Sequence, residues 1–178
     1  MTRKRRLIAL GAVALALAIT LLAIDPSTKD EGNPGIVSWE FAWDEEGAAE
    51  ILADWGEEGQ DAARLSLRLD FLYLLAYGAF FALASAATRD LSAERGWRRM
   101  AAFGPAAIWA AIGGALFDAV EDVFLLIALD GGGGDAAPML GAIFASGKFL
   151  LLAVAQLYIL SGLALRLRDR LRARGAPS

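Results

Sequence analysis

LIALGAVALALAITLLAI, residues 7–24, is the stretch from which the fold is read: eighteen residues without a single charge. At about 1.5 Å of rise per residue it makes a helix of about 27 Å, close to the thickness of a bilayer's hydrocarbon core. Arg3-Lys4-Arg5-Arg6 stands directly before it. A basic flank and an apolar run also open cleaved signal peptides. This run is long for that role and no small-x-small site marks its polar edge, so an uncleaved membrane anchor is expected.

Working outward, three further apolar stretches follow, at 69–87 (LDFLYLLAYGAFFALASAA), 100–129 and 138–165. The last two exceed the length needed to cross, which implies tilt or projection beyond the core. Together the four stretches explain why 57% of the chain is hydrophobic. The expected fold is all-α: an integral membrane four-helix bundle, one domain over residues 1–178. The chain has no cysteine and no histidine. Disulfides, thiolate ligands, the usual zinc and haem ligands and Ser–His or Cys–His nucleophiles are therefore excluded. No catalytic residue, metal site or cofactor is assigned from the sequence, and an enzyme is the less favoured reading.

The charges are sorted by connection. Thirteen of the 17 basic residues fall before the first stretch, in residues 89–99, or in the tail at 166–178. Segment 25–68 instead carries twelve acids and only Lys29, Arg64 and Arg68 as bases. By the positive-inside rule the basic connections face the cytoplasm, so both termini are expected inside the inner (cytoplasmic) membrane and 25–68 outside. The arginines of 89–99 and of the tail, with Trp97, read as an anchor to anionic lipid rather than as a nucleic-acid surface.

The outer connection has structure of its own. Residues 25–35 have turn chemistry, whereas from Glu46 onward Ala48, Ile51, Leu52 and Trp55 recur at helical spacing between carboxylates. This predicts a short amphipathic helix on the outer membrane face, with Trp39, Phe41, Trp43 and Trp55 as interfacial anchors. Residues 56–59 should break it, and a second helix should begin near Gln60 and run into the next span. The run Gly131 to Gly134 follows no strand and precedes no Lys-Ser pair, so it reads as a flexible turn between antiparallel helices and not as a phosphate loop.

Ionisable side chains inside a bilayer cost several kcal/mol unless paired, protonated or wet, and are functional candidates for that reason. There are five: Asp70, Asp118, Glu121, Asp122 and Lys148. Helix rise puts Asp118 roughly 16 Å and Lys148 roughly 15 Å below the outer edge, on helices that the glycine turn makes neighbours. A buried Asp118–Lys148 pair is predicted. Gly114, Asp118 and Asp122 share one face, with Glu121 beside them; Lys148, Leu152 and Gln156 share a second; Asp70, Tyr73, Tyr77 and Gly78 share a third. These faces can converge on one cavity in the outer half of the bundle, with Asp70 at its mouth and Lys148 at its floor. Acids outnumber the lysine, so at least one should hold a proton, a cation or a cationic ligand near neutral pH. A purely structural network of the same groups would look alike in sequence.

The order of tryptophan–glycine helix, LDFLYLLAYG, DAVEDVFLL and a lysine in the last span resembles a set of small bacterial four-span membrane proteins, a likeness that brings no chemistry with it. The long amphipathic outer connection and the acid Asp70 near the start of the second span also resemble the EXPERA membrane domain of the sigma-2 receptor and emopamil-binding sterol isomerase. That resemblance implies a cavity whose acids engage cationic amphiphiles or sterol-like molecules. The first span here has no acid, the isomerase histidine has no counterpart and Lys148 is foreign to the pattern, so no catalytic residue carries over.

The reading that follows is a membrane protein that binds a lipid-like or cationic amphipathic ligand, its binding residues being Asp70, Tyr73, Tyr77, Asp118, Glu121, Asp122, Lys148 and Gln156. Membrane lipids are the expected partners. Proton- or cation-coupled transport is the alternative; with four spans and no inverted repeat it would require a homo-oligomer. A third reading makes the chain an assembly subunit docked through its acidic outer helix.

Overall fold

A computed structural model of the chain describes residues 2–28 and 32–175, side chains being described for these except Thr28 and residues 173–175. Lys29 and the end of the basic tail lie outside that set. The fold is all-helical, 89% helix, with no strand among the described residues. Its helices are α1 (Arg3–Ile24), α2 (Ile36–Glu40), α3 (Glu45–Glu94), α4 (Arg98–Leu129) and α5 (Ala136–Gly175), with one 3-10 turn at Pro26–Thr28 after α1. By length and composition α1, α3 and α5 are long and apolar enough to cross a membrane.

The 50-residue α3 is two helices in one. Asp44 caps its first turn, its carboxylate accepting from the Gly47 N–H at 2.8 Å. At Gly56 the backbone swings to φ 60, ψ −171, a conformation that only glycine adopts without strain. The amphipathic piece 45–55 therefore ends where the sequence predicts. The second piece resumes at once rather than near Gln60, because Gly59 is itself helical and packed against Trp55.

α4 runs between α3 and α5 and packs along both, whereas α1 docks on α3 alone to any extent. The buried stripe of α4 explains this placement. Gly104, Ala107, Ala111, Gly114, Asp118, Glu121, Leu125 and Leu129 follow the three-four spacing of one helix face, and all are buried. The stripe is small at one end, acidic in the middle and leucine-rich at the other. Small residues let the helices approach: a Cβ on Gly114 would sit 2.8 Å from Leu152, and one on Gly78 would sit 2.7 Å from Ala115. α1 buries no residue at all.

The outer connection departs from expectation in one respect. Trp39 is 1% and Trp55 4% exposed, packed edge to face at 5.4 Å, and the Trp55 indole donates to the Pro34 carbonyl at 2.6 Å. With Ala48, Ala63, Leu67, Leu125 and Leu129 they form a hydrophobic core that closes one end of the bundle. They are not interfacial anchors. Periodicity identifies an apolar face but not what it meets, and here it meets protein. Trp43, 53% exposed, keeps a position open to an anchor's role. An ion pair and a hydrogen bond fasten the cap: Arg64 meets Asp130 at 2.6 Å, and the Glu45 backbone N–H donates to Asp135 at 3.0 Å, so the glycine turn is tied back onto α3.

Candidate functional site

At the centre of the charged cluster is Lys148 of α5. Its ammonium donates to Asp118 Oδ1 at 2.8 Å and to Glu121 Oε1 at 2.9 Å, both on α4. The pair expected from helix rise is thus present, and Glu121 completes it. The far oxygen of Asp118 accepts from the Tyr77 hydroxyl of α3 at 2.6 Å, a charge-assisted hydrogen bond. Tyr73 packs edge to face on Tyr77, ring centroids 4.9 Å apart. Three helices therefore meet in one hydrogen-bonded set.

A third carboxylate reaches the ammonium from an element the sequence reading passed over. Glu40, the last residue of α2, places Oε2 3.4 Å from Lys148 Nζ. α2 is held over the cavity by Trp39 in the hydrophobic cap and by Phe41, which stacks on Phe149 of α5 at 6.0 Å. Burial pushes the Glu40 carboxyl up from its ordinary range, and the nearby ammonium opposes that shift. One signal marks this residue in the sequence: it is the only acid in IVSWEFAW, flanked directly by aromatics, and it belongs with the span acids rather than with the solvated carboxylates of the same connection.

The remaining acids lie to one side. Asp70 of α3, Asp118 and Asp122 of α4 each bring a carboxylate oxygen within 4.8 Å of the others. Asp122 is 3% exposed; its Oδ2 and Glu121 Oε2 are buried without a hydrogen-bond partner among the described residues. Like charges at that separation repel by roughly 3–4 kcal/mol per pair at an effective dielectric of about 20. Five carboxylates (Glu40, Asp70, Asp118, Glu121 and Asp122) face the single Lys148 ammonium, and that ammonium is already engaged by three of them. The surplus negative charge must be met by protons, cations or a cationic ligand.

Two cavities flank this set. One, of about 470 Å³, lies between α3 and α5 and is lined by the polar Glu40, Asp70, Tyr73, Tyr77, Asp118 and Lys148 and by the apolar Phe81, Phe149, Leu152 and Ala153, with the Phe149 ring centroid 5.0 Å from the Lys148 ammonium. Gln156 also lines it, from an exposed position at its edge. The other, of about 340 Å³, lies under α1 and α2, and Glu40, Asp70 and Tyr73 border both. Asp122 borders only the second, and Glu121 borders neither. All eight residues singled out in the sequence therefore fall on this cluster or its cavities, although Glu121 is wholly enclosed and Gln156 stands apart from the acids. No metal-ligating set was expected in a chain without histidine or cysteine; the grouping of three aspartates is an addition to that reading.

No protein-family model, no curated protein and no solved structure matches this chain.

Proposed function

We propose that the chain is a four-span protein of the cytoplasmic membrane, with both termini inside, that binds an amphipathic molecule with a cationic head in the cavity between α3 and α5. The observation carrying this reading is the mixed lining of that cavity: the carboxylates of Glu40, Asp70 and Asp118 together with the apolar side chains of Phe81, Phe149, Leu152 and Ala153. A volume of about 470 Å³ is in the range of small-molecule sites. The five acids around one lysine supply the negative potential that a cationic head would neutralise.

The span count extends to α4 because that helix is about 48 Å long at 32 residues and packs along two helices that can themselves cross. α1 is docked on α3 and makes no comparable contact with α5, so the side between α1 and α5 is bridged by the short α2 rather than by a long helix. An acyl or ring system entering from the lipid would use that side. The likeness to the EXPERA domain, where cavity acids engage cationic amphiphiles, supports the ligand class.

Native mass spectrometry of the chain extracted in a mild non-ionic detergent tests this. Dodecylammonium, or a co-purified amphipath, should stay bound to the parent and be lost from Ala153→Trp, whose indole would crowd the cavity from an exposed position on its lining. Equal retention by both, or by neither, would reject the reading.

A further inference from the structure

The amphipath cavity uses Glu40, Asp70 and Asp118, and leaves Asp122 unexplained. Asp122 is 3% exposed, lies one turn after Asp118 beside the buried stripe of α4, and its Oδ2 has no hydrogen-bond partner among the described residues. Lys148 cannot satisfy it, because that ammonium is committed to Asp118, Glu121 and Glu40. A buried carboxylate oxygen without a donor is costly, and two further carboxylates, Asp70 and Asp118, each bring an oxygen within 4.8 Å of it and of one another. Something positive belongs there.

We propose that Asp70, Asp118 and Asp122 hold a hard divalent cation, of the Mg²⁺, Mn²⁺ or Ca²⁺ class. The spacing fits. One oxygen from each residue lies within 4.8 Å of the others, and oxygens around a shared ion are separated by at most twice the metal–oxygen distance, about 4–5 Å for these ions. The donor chemistry fits as well: carboxylates alone, with neither thiolate nor imidazole, select hard oxygen-seeking cations over zinc or copper. Asp118 keeps lone pairs free for an ion, since Tyr77 and Lys148 each take one direction on one oxygen. Asp70 borders both cavities, so the ion has a path of entry and room for the waters that would complete its coordination.

The proposal stands independently of the amphipath reading, and the two can fail separately. The test uses Mn²⁺ as the probe, with the full chain in non-ionic detergent after EDTA treatment, the free-ion signal being read by electron paramagnetic resonance. The expected result is saturable binding of one Mn²⁺ per chain, at least tenfold weaker in Asp122→Asn and in Asp70→Asn. Binding should be unchanged in Glu57→Gln, an exposed acid of the outer connection. It should also be unchanged in Ala153→Trp, the variant that blocks the amphipath. An unaltered tryptophan emission spectrum, to which the buried Trp39–Trp55 pair contributes with the chain's three other tryptophans, together with an unaltered melting temperature shows that a variant is folded. No saturable binding to the parent, or equal binding in folded Asp122→Asn, overturns the proposal.

Discussion

Two sets of charged side chains, one in the interior of this bundle and one at an end, have nearly the same distances and opposite surroundings. Around Lys148 the ion pairs measure 2.8 and 2.9 Å and every partner is buried. At the end of the bundle Arg3 and Arg89 meet Asp90 at 2.6 and 2.8 Å, and Arg95 meets Asp169 at 3.5 Å, with side chains mostly 40% exposed or more. Distance alone would rank the exposed pairs as equal or better. Burial reverses the ranking, because water screens the exposed pairs and competes for their hydrogen bonds, while the buried groups have only each other. Charge balance differs too: Asp90 has two arginines, whereas Lys148 is shared among more acids than it can neutralise.

Removing the buried cation should break the comparison most violently. Lys148→Met leaves Asp118, Glu121 and Glu40 without a counter-ion, and a loss of about 3–5 kcal/mol, or failure to assemble, is expected in thermal or denaturant unfolding of the detergent-solubilised chain. A loss below 1 kcal/mol would mean that the acids are already neutralised by other means. Tyr77→Phe is the gentler intervention at the same place. It deletes one hydrogen bond to a carboxylate and should cost about 1.5 kcal/mol while preserving the Lys148 contacts.

Asp90→Asn should barely register, about 0.5 kcal/mol, as for other exposed pairs. Its pH dependence is a finer probe. Hydrogen bonds from Arg3 and Arg89 hold the Asp90 carboxyl below the usual carboxylate range. A depressed pKa in the folded state means that the contribution is complete above the ordinary value near 4 and is lost as pH falls through the folded value. The difference in melting temperature between parent and Asp90→Asn should therefore be constant from about pH 5 upward and vanish once pH has fallen below the depressed folded-state value. A difference that persists at low pH would show that Asp90 acts through packing rather than charge.

How far the sequence leads differs residue by residue. Asp118 and Lys148 were legible because depth along a helix is arithmetic and a short turn sets the register of its two neighbours. Gly56 was legible because a glycine between two helical patterns has few uses. Glu40 was not, since α2 is five residues long and too short to show a period. Trp39 and Trp55 were misread for another reason: an apolar helix face has one signature whether lipid or protein covers it. The aspartate triad joins residues on α3 and α4 whose adjacency depends on rotation of the two helices, which periodicity constrains only to a face. The acidic stretch of α4 was readable as a face and became readable as a site only when Asp70 was placed against it.

The central claim is that the surplus of carboxylates selects a positively charged head. The most direct measurement compares dodecylammonium with dodecanol, two molecules of one chain length and different head charge, by native mass spectrometry on the parent and on Asp70→Asn. Asp70 borders both cavities and makes no contact with the Lys148 ammonium among the described ion pairs, so the substitution removes charge from the cavity while leaving the three Lys148 ion pairs in place. The account predicts at least tenfold preference for dodecylammonium in the parent and a clear reduction of that preference in Asp70→Asn. Equal binding of the two molecules to the parent, or a preference untouched by the substitution, would contradict it.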